Sequence, residues 1–146
     1  MIVVLELFPH AGGMAHQYAP LSRRLRGLCA GYGAEVDIRV ADYRADGPAR
    51  DVQQIARSCA EELARGDGPV VLAGHSLGAF VAYETALLLA PTSGTLSLVV
   101  SGQVAPQLHR GGSLHLASDE ALVEELTRVD GGNRELFADA QMRSAF

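Results

Sequence analysis

The chain has 146 residues, a length that suits one domain with a single hydrophobic core. Hydrophobic residues make up 48% of it and charged residues 20%, which excludes a chain that is disordered throughout. The formal net charge of −5 leaves no broad basic surface, so we expect no nucleic acid partner.

The sequence lacks the features of membrane and secreted proteins. The apolar run at residues 2–8 is too short to span a bilayer, and it has no basic start of the kind that signal peptides carry. The two cysteines, Cys29 and Cys59, lie far apart in predicted helices, which argues against a disulfide framework and against a zinc site. We therefore expect a cytoplasmic protein with no membrane segment and no bound metal.

Strand and helix patterns alternate up to residue 100. Residues 2–8 are apolar apart from Glu6 and stop before Pro9, as a buried strand does, whereas residues 36–40 alternate apolar and polar side chains. The predicted strands are residues 2–8, 36–40, 70–73 and 96–100, and the predicted helices are residues 18–28, 52–63 and 77–90. The sequence therefore predicts an α/β fold, a parallel sheet with helices on its faces.

The pattern changes after Gly102. Residues 103–117 have the composition of a loop, and Ser118 is placed to cap a helix at residues 119–129. A glycine pair then interrupts this helix, and residues 134–146 begin another. Since no strand returns, we expect the chain to divide into residues 1–106, which form the sheet and its helices, and residues 107–146.

The segment Gly74–Gly78, with the sequence Gly-His-Ser-Leu-Gly, matches the G-x-S-x-G pattern of a nucleophile elbow. It lies between a predicted strand and a predicted helix, where such a turn holds its serine in a strained conformation above the sheet. Glycines at both ends, Gly74 and Gly78, let the strand and the helix approach closely. We predict that Ser76 is a nucleophile, with His75 beside it in the turn. The alternative is a tight turn in which Ser76 only caps the helix.

A second glycine-rich loop follows the first predicted strand. It is Phe8–Gly13, with the sequence Phe-Pro-His-Ala-Gly-Gly, and it precedes a helix. In hydrolases with a nucleophile elbow, this loop supplies one amide of the oxyanion hole, and the residue after the nucleophile supplies the other. The two predicted amides are those of Ala11 and Leu77. A phosphate-binding loop is the alternative, but neither G-x-G-x-x-G nor G-x-x-x-x-G-K-[ST] is present.

Together with Ser101–Pro106 and Ser118–Leu126, these loops resemble the sequence blocks of type II (editing) thioesterases of polyketide and nonribosomal peptide synthesis. The resemblance implies an α/β-hydrolase fold in which residues 107–146 begin a helical lid. It also implies hydrolysis of acyl groups from the phosphopantetheine thiol of an acyl or peptidyl carrier protein, with no separate cofactor. In such enzymes a histidine deprotonates the serine and an aspartate orients the histidine.

The chain departs from this family at two places. Residues 41–48 differ from the Pro-Gly-Arg-rich segment that family members carry, and the sequence stops at Phe146, before the family's catalytic aspartate and histidine. The last predicted strand leads into residues 101–106, which contain no carboxylate, so no triad acid is assigned. His75 is expected to point away from the reacting face and His10 to brace its loop, so no triad base is assigned.

We therefore expect the chain to be a fragment of a longer protein. The alternative is that another chain supplies the missing C-terminal half. A chain without its C-terminal half should hydrolyse thioesters poorly, because nothing deprotonates the serine. Its sheet should also keep an open edge through which copies of the chain associate.

Two other functions fit the serine motif. A degenerate hydrolase-like module would keep the fold and bind a carrier protein without catalysis. Malonyl-type acyltransferases also carry Gly-His-Ser-Leu-Gly, but they need an arginine on a later strand, and residues 95–105 contain none. Acyltransferases of this type also lack the loop Phe8–Gly13, so the sequence favours the thioesterase.

Overall fold

The computed structural model describes residues 2–43, 51–92, 94–112 and 116–129. Strands and helices alternate in these residues as the sequence predicts. In chain order they are β1 (Ile2–Phe8), α1 (Ala19–Gly31), β2 (Glu35–Val40), α2 (Val52–Leu63), β3 (Val70–His75), α3 (Leu77–Leu89), β4 (Leu96–Ser101) and α4 (Asp119–Val129). Short 3-10 helices at Ala15–Tyr18 and Pro106–Leu108 join them. The predicted helix at residues 134–146 and most of the segment 41–48 lie outside the described residues.

The observed bounds differ from the predicted ones by one to three residues. β3 continues to His75 because Gly74 and His75 still pair with β4, opposite Val100 and Ser101. α1 begins after the predicted start and has a proline in its first turn. A proline is tolerated there because its missing N–H would have no partner in the helix.

The four strands form one parallel sheet in the order β2-β1-β3-β4. β1 and β3 are the inner strands, and Phe8 at the end of β1 pairs with Gly74 near the end of β3. His75 pairs with Ser101, the last residue of β4. The carboxyl ends of three strands therefore meet at one edge of the sheet, where parallel α/β proteins build their sites.

The described core lies between the sheet and the helices α2 and α3. α3 is apolar on nearly every side, the pattern of a buried helix, and six of its residues are buried. The core residues come from β1, β3, α2 and α3: Phe8, Ala56, Ala60, Leu63, Val70, Leu72, Val81, Ala82 and Leu89. Phe8 is only 1% exposed, so the loop after β1 starts from a fixed point in this core.

β4 is an edge strand with apolar side chains on both of its faces. Among the described strands it pairs with β3 alone. Leu98, Val99 and Val100 are 37%, 59% and 51% exposed. An apolar edge of this kind is a template for further strand pairing. The expected self-association of the isolated chain stays a prediction.

The chain divides into two compact units, Met1–Pro106 and Gln107–Phe146. The first holds all four described strands and α1 to α3. In the second, the hydroxyl of Ser118 accepts a hydrogen bond from the amide of Ala121 at 3.4 Å, so Ser118 caps α4 as predicted. An ion pair joins Glu125 to Arg128 on the surface of α4. The lid role of this unit stays a prediction.

A carboxyl group is buried beneath α2. Glu6 of β1 is 8% exposed, and its partner across the sheet is Arg39 of β2. The guanidinium of Arg39 donates its hydrogen bond to Asp37 at 2.8 Å rather than to Glu6. Burial first, and then the nearby carboxylate of Glu62 on α2 and that of Asp37, raise the pKa of Glu6 from 4.5 to about 7, against the opposing effect of Arg39.

We expect Glu6→Gln to stabilise the fold at alkaline pH. Because the pKa of Glu6 is raised, the folded state holds a proton that the unfolded state releases, so stability falls as pH rises from 4.5 to about 7. The pKa difference corresponds to about 3 kcal/mol, and this is the gain expected from the neutral glutamine at pH 8. Urea unfolding at pH 5 and pH 8 measures it, and the gain should shrink at the lower pH.

The matched control is Glu61→Gln, at an exposed position of the same helix that Glu62 belongs to. It should change the free energy of unfolding by less than about 0.5 kcal/mol at either pH. An equal gain for Glu6→Gln at both pH values would contradict the assignment of the raised pKa to Glu6.

Candidate active site

Ser76 occupies a strained turn between β3 and α3. Its backbone has φ 54° and ψ −119°, and it is the one non-glycine residue with a positive φ in the described part of the chain. A side chain with a Cβ is disfavoured in this conformation by about 1–3 kcal/mol, so the surrounding structure must impose it. This is the backbone geometry that a nucleophile elbow requires.

Two glycines allow the close packing that holds this turn. A Cβ on Gly74 would overlap the carbonyl of Gly78, the second residue of α3. A Cβ on Gly78 would overlap the carbonyl oxygens of Phe8 and Pro9. The start of α3 therefore rests directly on the end of β1 and on the first residues of the loop that follows it.

The loop Phe8–Gly13 is held by side chains from elsewhere in the chain. The hydroxyl of Tyr43 donates a hydrogen bond to the carbonyl of Pro9 at 2.9 Å, and the amide of His10 donates to the hydroxyl of Tyr18 at 3.3 Å. Burial raises the pKa of Tyr43 above its usual value, so its hydroxyl keeps the proton that it donates. Nδ1 of His10 lies 2.8 Å from the carbonyl oxygen of Ala11, which agrees with the predicted bracing role of His10.

The two amides predicted for the oxyanion hole belong to elements that meet at this edge. Leu77 is the first residue of α3, where an amide has no acceptor within the helix. Ala11 is exposed in the turn after β1, which begins at the Phe8–Pro9 segment that touches α3. Both amides are thus available at one edge of the sheet, and their joint role as an oxyanion hole stays a prediction.

No histidine or carboxylate is hydrogen-bonded to the hydroxyl of Ser76 among the described residues. The ring of His75 is engaged with the hydroxyl of Ser101 on β4 at 3.0 Å. The ring of His10 is engaged with its own loop. The described residues therefore provide a positioned serine without a base that deprotonates it.

Sequence reasoning missed the contributions of Tyr43, Tyr18 and Ser101. Tyr43 reaches Pro9 across 34 positions of the chain, and no spacing rule signals such a contact. Ser101 was noted as part of a resemblance to known thioesterases and of a segment without a carboxylate, but not as a partner of His75. Its position opposite His75 follows from the register of β3 with β4, which becomes visible only in the folded sheet.

The strain at Ser76 leads to a prediction about stability. We expect the free energy of unfolding of Ser76→Gly to be about 1 kcal/mol larger than that of Ser76→Ala, because glycine adopts a positive φ without steric strain. Thermal and urea unfolding of the two variants measure the difference. Equal stability of the glycine and alanine variants would show that the turn is not strained.

The profile of the thioesterase domain matches residues 4–146 of the chain. The chain belongs to the thioesterase domain family. The family match confirms the thioesterase resemblance that the two glycine-rich loops predicted, and it favours that interpretation over an acyltransferase. In the described residues no group of three or more His, Cys, Asp or Glu side chains could hold a metal ion. None of the described helices combines the length and the apolar character needed to cross a membrane.

Named thioesterases resemble this thioesterase domain over almost its whole length. A probable cadicidin biosynthesis thioesterase of Streptomyces griseus is 33% identical over 146 residues, which cover 96% of this chain and 39% of the relative. Thioesterase PikA5 of Streptomyces venezuelae is 32% identical over 96% of this chain and 51% of its own. Thioesterase TesA of Mycobacterium marinum is 32% identical over 95% of this chain and 57% of its own. The chain thus spans about half the length of the curated relatives it matches.

Solved thioesterases share its fold. YbtT, a type II thioesterase from the yersiniabactin NRPS/PKS pathway, superposes with a TM-score of 0.72 at 30% identity, covering 97% of this chain and 58% of its own. RedJ, a thioesterase of the prodiginine pathway in Streptomyces coelicolor, gives the same TM-score and identity over 88% of this chain and 49% of its own. These similarities confirm the predicted α/β-hydrolase-type sheet with flanking helices and the predicted resemblance to type II thioesterases.

Proposed function

We propose that Ser76 is the nucleophile of a type II thioesterase. Its substrates are acyl groups on the phosphopantetheine thiol of acyl or peptidyl carrier proteins, and it edits polyketide or nonribosomal peptide synthesis. The observation that carries the proposal is the strained backbone of Ser76, with φ 54°, between β3 and α3 in a chain of the thioesterase family. The pathways named for YbtT and RedJ support the class of substrate.

The reaction begins at the hydroxyl of Ser76. Its Oγ attacks the thioester carbonyl carbon while a general base takes the hydroxyl proton, and the carbonyl oxygen becomes an oxyanion. The C–S bond then breaks, and the thiol of phosphopantetheine leaves with that proton. Water hydrolyses the acyl-serine by the same two steps and releases a carboxylic acid. No cofactor takes part beyond the phosphopantetheine arm that carries the substrate.

The amides of Leu77 and Ala11 are the proposed donors to the oxyanion. Leu77 stands at the N-terminus of α3, where the helix dipole adds positive potential next to Ser76. The loop that contains Ala11 is anchored by the buried Phe8 and by the hydrogen bond from Tyr43 to Pro9. Rigid donors stabilise a developing charge without reorganising during the reaction, which is where such sites gain most of their effect.

The described residues do not supply the base, so we propose that the chain of 146 residues alone turns over poorly. A carrier protein remains its expected partner. A non-catalytic carrier-binding module is the second candidate, and the observation that favours it is that no histidine or carboxylate among the described residues is hydrogen-bonded to the hydroxyl of Ser76.

The full-length gene product and the chain of 146 residues are compared on the same acylated carrier protein. Intact-protein mass spectrometry follows the loss of the acyl group from the phosphopantetheine arm, and an acyl N-acetylcysteamine thioester is the matched free substrate. We expect the full-length product to hydrolyse the carrier-bound thioester with a kcat/KM at least about tenfold higher than that for the free N-acetylcysteamine thioester, because contacts with the carrier contribute binding energy.

Each outcome separates the candidates. Binding of the carrier protein without loss of the acyl group from either form would favour the non-catalytic module. Equal rates on the carrier-bound and the free thioester would remove the carrier protein from the proposal and leave a general thioesterase.

A further inference from the structure

The nucleophile's own backbone is tied to the neighbouring strand. The amide of Ser76 donates a hydrogen bond to the carbonyl of Ser101, the last residue of β4, at 3.0 Å. Because the conformation of Ser76 is strained, its position depends on contacts of this kind that hold it from outside. Whatever fixes the end of β4 therefore also helps to fix Ser76.

Side chains reinforce this link at the same level of the sheet. His75 and Ser101 are paired in the register of β3 and β4, and Nδ1 of His75 lies 3.0 Å from Oγ of Ser101. A hydroxyl can both donate and accept, so this pair forms one hydrogen bond with either tautomer of the ring. Among the described residues, neither of these two side chains forms a hydrogen bond with the side chain of Ser76.

The next residue makes room for the ring. Gly102 has φ +70°, and a Cβ there would lie 2.5 Å from Cε1 and 2.8 Å from Nδ1 of His75. Any side chain at this position would push the imidazole away from Ser101, and the backbone conformation itself favours glycine. Two consecutive residues, Ser101 and Gly102, thus supply the partner of the Ser76 amide, the partner of the His75 ring and the space for that ring.

We propose that His75 and Ser101 form a latch that holds the end of β4 against the elbow and thereby positions Ser76. The latch rests on the proposed function only in that Ser76 is the group it serves. His75 and Ser101 are positioning residues, since the atoms they contact belong to each other and to the backbone of the elbow. His75 therefore acts by holding β4 against the elbow and not as a general base.

The test uses Ser101→Ala and His75→Phe, each of which removes one side of the latch, and the double variant. Ser101→Thr keeps the hydroxyl, and Ser97→Ala removes an exposed hydroxyl from the same strand. The first measurement is hydrogen exchange at the amide of Ser76 in the full-length gene product. The second is kcat and KM of the full-length gene product on an acyl thioester.

We expect exchange at the Ser76 amide to rise about tenfold in Ser101→Ala and in His75→Phe, the size of one hydrogen bond of ordinary strength. The double variant should show no larger rise, because the two changes break one contact. kcat should fall by a similar factor with KM unchanged, and Ser101→Thr should retain both protection and kcat. Ser97→Ala should leave both measurements as in the wild type.

Exchange that does not change in Ser101→Ala, or losses that multiply in the double variant, would overturn the latch. A rise in exchange with an unchanged kcat would overturn its positioning role. Failure of the proposed function gives a different result, which is hydrolysis that persists in Ser76→Ala, and the exchange measurement then still decides the latch.

Discussion

Replacing Ser76 by alanine is expected to reduce thioester hydrolysis by the full-length gene product at least about a thousandfold. The alanine removes the Oγ that attacks the carbonyl, and no other residue of the elbow Gly74–Gly78 carries a hydroxyl or a thiol. Some catalysis above that of water should remain, since the oxyanion donors and substrate binding are unchanged. Steady-state hydrolysis of an acyl thioester and labelling by a fluorophosphonate, followed by intact mass, measure the effect.

The loss should be chemical and not structural. Ser76→Ala keeps a Cβ at the same positive φ, so its free energy of unfolding should stay within about 0.5 kcal/mol of that of the wild type. Ser97→Ala, at an exposed position of β4, is the matched control and should retain full activity and full labelling. Hydrolysis within tenfold of the wild type in Ser76→Ala, or labelling that does not decrease, would rule out Ser76 as the nucleophile.

Gly78→Ala is expected to destabilise the fold by about 3 kcal/mol or more, a loss large for a single methyl group. The new Cβ would overlap the carbonyl oxygens of Phe8 and Pro9, which are backbone atoms and cannot turn aside as a flexible side chain would. α3 would have to move away from the end of β1, and the core residues of both elements would lose contact with each other. Urea unfolding measures the change.

Gly27→Ala is the matched control for this prediction. Gly27 lies inside α1, and a Cβ there would meet no atom within 4 Å. Alanine is the better helix former, so this variant should gain about 0.5–1 kcal/mol. If Gly78→Ala is recovered only as an aggregate while Gly27→Ala is soluble, the result would have the same meaning as a large decrease in the free energy of unfolding measured in urea. Equal stability of the two variants would contradict the close contact.

The described fold was largely predictable because its signals are local. The strands and helices are located to within three residues by an apolar run that stops before Pro9, by the alternation at residues 36–40, and by helical spacing between glycine breaks. Strand bounds shifted where pairing extended a strand, as at His75, whose partner on β4 lies 26 positions away. Pairing across such a distance leaves no periodic mark in the sequence.

The burial and the raised pKa of Glu6 could not be predicted from the sequence. Glu6 interrupts an apolar strand, and by position alone it could face either side of the sheet. Its burial beneath α2 and the choice of Arg39 to bond Asp37 instead are outcomes of packing, and they set the raised pKa of Glu6. A strand pattern reports polarity, whereas the free energy of a charge depends on what surrounds it in three dimensions.

The candidate nucleophile follows from local sequence, since the spacing of Gly74, Ser76 and Gly78 between a strand and a helix is typical of a nucleophile elbow. The order of the strands and helices follows from local sequence as well. The distant groups that hold the turn are visible only in the folded chain: the carbonyl of Phe8 against Gly78, the hydroxyl of Tyr43 on the loop, and Ser101 on His75. The physical reason is that a turn's conformation is encoded over a few residues, while its rigidity comes from contacts between segments that only the folded sheet brings together.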